Sequence, residues 1–217
     1  MQDFYKYARH RQIQHVAKVF ESAPLQLGKK IKFSNVDSEI NALFLREALV
    51  LLEQAGIIHR CYHSSGQESP LGASMDDKKF KVYFFDIGLA QRILGLVVNK
   101  WMLDSDILKF TGAMAEQLVA QEFIAYANVA VEQKLYYWHR EAKSSNAEVD
   151  FLFVKNNIIV PVEVKSHLKG SMKSMQIFLE IHPNSPKGLK ISAGLFTHQK
   201  MLDEIPLYAV ESWARDV

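Results

Sequence analysis

Cysteine is nearly absent: Cys61 stands alone among 217 residues, and one thiol cannot close an intramolecular disulfide. The fold therefore depends on no oxidative framework, which points to a reducing compartment and an expected cytoplasmic location. No stretch approaches the ~18 apolar residues of a membrane span. Residues 1–20 place Asp3, Lys6, Arg9, Arg11 and Lys18 where an export signal would need an apolar core, so a soluble chain with no membrane partner is expected. Charge of one sign is scarce too. The 26 Lys and Arg against 24 Asp and Glu leave +2, short of the footprint of a dedicated nucleic-acid binder. The sequence contains no internal repeat, no Pro-, Ser- or Gln-rich tract, no G-x-x-x-x-G-K-[ST] and no G-x-S-x-G. P-loop nucleotide hydrolysis and covalent acyl chemistry are thereby unsupported.

What is present is an ordinary globular composition, 48% hydrophobic and 23% charged, long enough for one large domain or two modest ones. The spacing of Phe4, Tyr7, Ala8, Val16 and Val19/Phe20 predicts an amphipathic helix over 3–21. A second helix is predicted over 39–55, with Ile40, Leu43/Phe44, Ala48 and Leu51/Leu52 on its apolar stripe and Gly56 as its stop. Two β-prone runs follow, "GIIHRCYH" and "KKFKVYFFDIGL", around the turn-rich loop "SSGQESPLGASMDD". That order is the order of a winged helix. Residues 1–103 are read as a winged-helix-like module closed by the helix "GLAQRILGLVVNKWML", and "DSDILKFTG" as the connection, with the boundary near 104–110. Residues 110–217 then form a second domain. It comprises the helix "GAMAEQLVAQEFIAYA", the aromatic run "KLYYWHR", a hairpin, a helix near 171–181, and short strands near 191–197 and 206–210. The layout is α/β or α+β.

The hairpin is "AEVDFLFVKNNIIVPVEVKS", residues 147–166, in which Glu148, Asp150, Glu163 and Lys165 interrupt two apolar runs. Strand alternation puts Glu163 and Lys165 on one face and Val160, Val162 and Val164 on the other; Glu148 and Asp150 likewise oppose Val149, Phe151 and Phe153. A two-residue turn at Asn156-Asn157 makes partner numbers sum to 313, so Asp150 faces Glu163 and Glu148 faces Lys165. Carboxylates ~4.5–5.5 Å apart repel unless a cation lies between them. A divalent ion held by one or two carboxylates, with waters and phosphate oxygens, would do so, and Lys165 could orient an attacking water or offset developing charge. The bland alternative is a solvated face with a weak Glu148–Lys165 pair.

Other candidates are slighter. Glu116 sits beside the apolar face made by Val119, Ala120 and Phe123, while Gln117 and Gln121 mark the expected wet side; a Glu capped by Lys or Arg at a core edge is the alternative. The second helix carries Glu39, Glu47 and Glu53 against Arg46, which opposes docking on phosphates. Lys78, Lys79 and Lys81 cluster on the returning wing strand, where a solvated edge is the plain reading. His59, Cys61 and His63 alternate in a way that could hold a transition metal. Tyr136, Tyr137 and Trp138 could stack on bases, although an aromatic strand is more often core.

With these residues the sequence resembles the PD-(D/E)XK nuclease superfamily, whose pattern is an acid at the end of one strand and acid-x-Lys on the next. Val149 precedes the acid Asp150 here. Over residues 4–210, through "KVYFFDIGLAQRILG", "GAMAEQLVAQEF", "LYYWH", "AEVDFLF" and "IIVPVEVKS", the chain is also similar to the uncharacterised region that follows a AAA-type P-loop ATPase domain in many bacterial and archaeal proteins. The resemblance implies a restriction-endonuclease-like domain with Glu116, Asp150 and Glu163 as metal carboxylates for Mg²⁺ or Mn²⁺. It further implies Lys165 as the catalytic-type lysine, Gln176 as a polar contribution from the next helix, and DNA and the ATPase domain of the same parent protein as partners. Two functions stay open on this reading. One is metal-dependent handling or cleavage of DNA phosphodiesters, which requires Asp150 and Glu163 on the same side of the sheet; the other is a docking module without turnover.

Overall fold

The computed structural model describes residues 10–96, 105–127, 134–140, 146–166 and 170–215. Helices α1 (His10–Ser22), α2 (Ala42–Gln54), α3 (Ile87–Ile93), α4 (Ser105–Ala125), α5 (Lys173–Ile181) and α6 (Val210–Arg215) accompany eight strands. These are β1 (Ile58–Ser64), β2 (Met75–Phe84), β3 (Leu135–His139), β4 (Glu148–Lys155), β5 (Ile158–Val164), β6 (Gly188–Ser192), β7 (Thr197–His198) and β8 (Leu202–Pro206). They form one mixed sheet in the order β2-β1-β3-β4-β5-β6-β8-β7. The β1/β2 hairpin joins the rest through a parallel pairing of β1 with β3, so strands on both sides of the expected 104–110 boundary share the sheet. The architecture is mixed α+β. Among the described residues no helix is long and apolar enough to cross a membrane.

Two cores result. Val19 of α1, Leu45, Leu49 and Leu52 of α2, and Val119 and Phe123 of α4 pack with Phe84, Phe151 and Val162 of the sheet. A smaller cluster joins Met175 and Phe178 of α5 to Trp138, Val149 and Leu152. Each buried large apolar side chain contributes about 1.5–3 kcal/mol by leaving water.

The Asn156-Asn157 turn forms as expected. Both residues have left-handed φ, 50° and 62°, and the ladder runs from Lys155↔Ile158 to Phe151↔Val162 in the anticipated register. We expect Asn157→Val to cost about 1–2 kcal/mol, the penalty of placing a branched side chain in that backbone region; the denaturant midpoint would report it.

Several expectations are corrected. The ladder ends before Asp150 and Glu163, which are not a registered pair, because β4 carries an extra residue there: Tyr136 pairs with Leu152 but Trp138 with Val149. This bulge resets the alternation and puts Val149 with Leu152 in the α5-side cluster, apart from Phe151. The buried stripe of α2 is Leu45, Ala48, Leu49 and Leu52, at i, i+3, i+4 and i+7, while Leu43 and Phe44 are 57% and 48% exposed. Residues 105–112 lie within α4, where Ser105 and Asp106 are start signals for a helix and not a connection. Gln117 is fully buried: its amide accepts from Phe84 N at 2.8 Å and donates to Phe84 O at 2.7 Å, and Gln121 accepts from Ile87 N at 2.8 Å. The glutamines satisfy backbone groups where β2 ends, which an amide can do at both its atoms.

The late strands begin three or four residues early. A Cβ on Gly188 would lie 2.4 Å from Met175 Sδ, so this glycine lets β6 start under α5, and Pro206 ends β8 before the short turn Leu207–Ala209. The predicted starts at residues 3–9 and the stretch 97–104 fall outside the described residues.

Candidate functional site

Four elements converge on one cluster of charge. Strand β2 contributes Lys81 and Tyr83, α4 contributes Glu116, β4 contributes Glu148 and Asp150, and β5 with the residue after it contributes Glu163 and Lys165. Lys81, expected on a solvated edge beside Lys78 and Lys79, is 0% exposed. Its Nζ lies 2.7 Å from Glu148 Oε1 and 3.7 Å from Glu116 Oε2. Lys79 instead pairs with Asp76 at 3.2 Å. The difference is the register shift on β2 between the pairs Tyr62↔Phe80 and His63↔Asp76: Lys79 lies within that irregularity, whereas Lys81 pairs in regular register with Cys61. Tyr83 Oη donates to Glu116 Oε2 at 3.1 Å.

The bulge explains Asp150. Instead of facing Glu163 across a ladder rung, its Oδ2 accepts from Val164 N at 2.8 Å and so reaches across to β5 beside Glu163. Glu163 is buried, with Oε1 accepting from Lys165 Nζ at 2.5 Å and Oε2 buried without a hydrogen-bond partner. Lys165, just past the end of β5, therefore pairs with Glu163 of that strand and Glu148 with Lys81, which replaces the expected Glu148–Lys165 opposition.

The electrostatics follow from crowding acids in a dry place. Burial, then the charge of Asp150, pushes Glu116 up to about 8, against the opposing effects of Lys81 and Tyr83. Burial and then Asp150 push Glu163 up to about 7. Asp150 itself is raised by burial, with Lys81 and the Val164 hydrogen bond resisting. Burial alone would lower Lys81 and Lys165. For Lys81 the carboxylates Glu116, Asp150 and Glu148 outweigh it, and for Lys165 Glu163 and Asp150 do, so both ammoniums are held above their usual value. The acids are short of positive charge, and the chain supplies two lysines toward it.

Of the expected site residues, Glu116, Asp150, Glu163 and Lys165 thus belong to one interacting cluster, whereas Gln176 is exposed on α5. Lys81, Tyr83 and Glu148 are additional members. A lysine inside the apolar run "FKVYFF" was the available signal for Lys81. The alternating His59, Cys61 and His63 do not assemble: Cys61 lies in the main core with its thiol pushed up by burial, and His63 Nε2 lies 3.3 Å from His139 O. Tyr137 and Trp138 are core residues. Among the described residues no three His, Cys, Asp or Glu side chains stand close enough to hold a metal among them. The donors nonetheless suit a hard cation that needs only one or two carboxylates, because Glu163 Oε2 is an oxygen without a partner next to Asp150.

Comparison with known proteins divides the chain in two. Residues 1–100 match the family described as Domain of unknown function (DUF8612), and residues 111–209 match Domain of unknown function (DUF4143). The chain joins two domains of unknown function. No curated protein matches it. Among solved structures, protein VC1899 from Vibrio cholerae is 12% identical over 96% of this chain and 56% of its own, with a TM-score of 0.30, a likeness too weak to carry an argument. The chain spans 56% of that structure's length.

Proposed function

We propose that this chain is the region following a AAA-type ATPase domain, with a winged-helix-like first part and a PD-(D/E)XK-like second part that acts on DNA phosphodiesters with Mg²⁺ or Mn²⁺. The observation that carries the reading is Glu163: one carboxylate oxygen is bonded to Lys165 and the other is buried with no partner, beside Asp150. An unpaired buried carboxylate oxygen is costly unless something positive meets it. Glu163 and Asp150 would hold the ion; Glu116, expected as a third ligand, belongs to the same charge cluster but does not stand close enough to join them on one ion. The ion would supply Lewis-acid stabilisation of a phosphoryl oxygen and a more acidic water.

The protein's own groups have separable roles. The bond from Val164 N fixes the orientation of Asp150. Lys165, held charged by Glu163 and Asp150, acts as a cation that offsets charge on the phosphoryl group and not as a base. Glu116, pushed up to about 8, carries a proton at neutral pH and so lightens the negative charge of the cluster.

The test is plasmid nicking in Mn²⁺ and in Mg²⁺. Asp150→Asn and Glu163→Gln are expected to slow nicking about 100-fold, of the order found when a charge-stabilising group is removed from a site. A wild-type protein inert in both metals, on supercoiled and single-stranded DNA alike, would sink the reading. The second reading, docking for the ATPase without turnover, is favoured by Lys81, whose ammonium already compensates Glu148 and Glu116. Metal titration separates them, since docking needs no cation.

A further inference from the structure

A cleft of about 560 Å³ opens between the segment around residues 25–35 and the start of β4. Lys29, Lys30, Lys32 and Arg140 line it, and Glu148 is the acid among its lining residues. We propose that this cleft binds the sugar-phosphate backbone of a single DNA strand and delivers it to the carboxylate cluster. The proposal rests on the phosphodiester reading above and adds the path that the strand takes and its strandedness.

Charge is the first support. The whole chain carries only +2, yet four cationic side chains converge on one cleft, and the charge of Glu148 is already matched by buried Lys81 at 2.7 Å. Phosphate contacts from Lys and Arg supply most of the sequence-independent affinity for nucleic acid. Position is the second. Glu148 belongs both to the cleft and to the cluster, and Gly28, also on the cleft wall, approaches so closely that a Cβ there would lie 2.9 Å from Glu116 Oε2. With φ of +69°, Gly28 has the backbone conformation that only glycine adopts readily, so the wall can close onto the acid. A phosphate seated between the lysines is thereby brought to the acids.

The lysine segment is also held in place. Lys30 forms a β-bridge with Lys81, Ile31 N donates to Phe80 O at 3.2 Å, and Lys32 N donates to Gln26 Oε1 at 2.8 Å. Ordering costs on binding are correspondingly reduced. About 560 Å³ gives room for a nucleotide or two, so a single strand is the form of ligand assigned to the cleft. Among the described residues of the lining His139 is the one ring, and stacking on a base does not read it, so the cleft is expected to be tolerant of sequence.

The experiment is fluorescence anisotropy of a labelled oligothymidylate in Ca²⁺ buffer, with a salt series, on the full chain. The variant is Lys29→Glu/Lys32→Glu/Arg140→Glu; all three residues are exposed, and an unchanged thermal midpoint would show that it folds. Binding is expected to weaken tenfold or more. The slope of log affinity against log salt should fall in magnitude by about 2, at ~0.7 per lost phosphate contact on a single strand. Unchanged affinity in the triple variant, a duplex bound as tightly as the strand, or a tenfold preference for RNA of the same length would overturn the proposal. Its failure is distinguishable from failure of the phosphodiester reading: a wild-type protein that binds the strand through the cleft but does not nick in Mg²⁺ or Mn²⁺ would sink only the chemistry. Normal nicking by the triple variant would sink only the cleft.

Discussion

Lys81→Met is expected to destabilise the protein by about 3–5 kcal/mol at pH 8, the usual cost of removing one partner from a buried ion pair and leaving the other uncompensated. Methionine nearly matches the aliphatic stem in volume, so packing is largely retained and the loss reports charge. The side chain is 0% exposed and stands against Glu148, Glu116 and Asp150, which together hold it protonated despite burial. Without the ammonium, these acids can relieve their repulsion only by taking up protons. The deficit should therefore shrink as pH falls towards 5, where Glu116, already pushed up to about 8, is protonated with or without Lys81. Denaturant unfolding at pH 5 and pH 8 measures it. A loss that is equal at the two values would mean that Lys81 matters for packing and not for charge.

Lys81 also shows where reading the sequence stops. Its partners come from α4 and β4, far along the chain, and the parallel pairing of β1 with β3 and the Gln117–Phe84 bonds between α4 and β2 bring the β2 strand within reach of them. No local periodicity encodes that contact. The hairpin was legible because its determinants are local: two asparagines that accept positive φ set the turn, and the turn sets the register. The same logic misplaced Asp150, since the bulge arises from how β4 meets β3, a strand outside the hairpin. Gln117 was misread for a related reason. An amide can be fully buried when it meets both a backbone N–H and a C=O, and Phe84 offers both at the end of a strand. The acid-x-Lys pattern at Glu163 and Lys165 survived because the two residues lie two apart along the chain at the end of β5 and meet directly, whatever the neighbouring strands do.

Glu163→Gln should reverse the sign of the usual mutational effect. Burial and Asp150 push Glu163 up to about 7 in the folded protein, against ~4.3 for an unperturbed Glu. The folded state therefore holds the proton more tightly than the unfolded one. Its contribution to stability is fully present below about pH 4.3 and is lost as pH rises through 7, with Glu116 extending the loss to about 8. At roughly 1.4 kcal/mol per unit, Glu163 alone accounts for on the order of 4 kcal/mol across that window. A neutral glutamine cannot ionise, so Glu163→Gln is expected to match wild type near pH 4 and to exceed it by up to roughly 4 kcal/mol at pH 8 in chelator. Added Mn²⁺ should then return about 2.7 kcal/mol to wild type at a concentration 100-fold above its Kd, and nothing to the variant. Thermal unfolding at the two pH values, with chelator and with Mn²⁺, reads both effects. If wild type and variant lose stability together at pH 8 and Mn²⁺ shifts neither, the unpartnered oxygen of Glu163 is not where a cation binds, and the charge of the cluster is balanced by Lys81 and Lys165 alone.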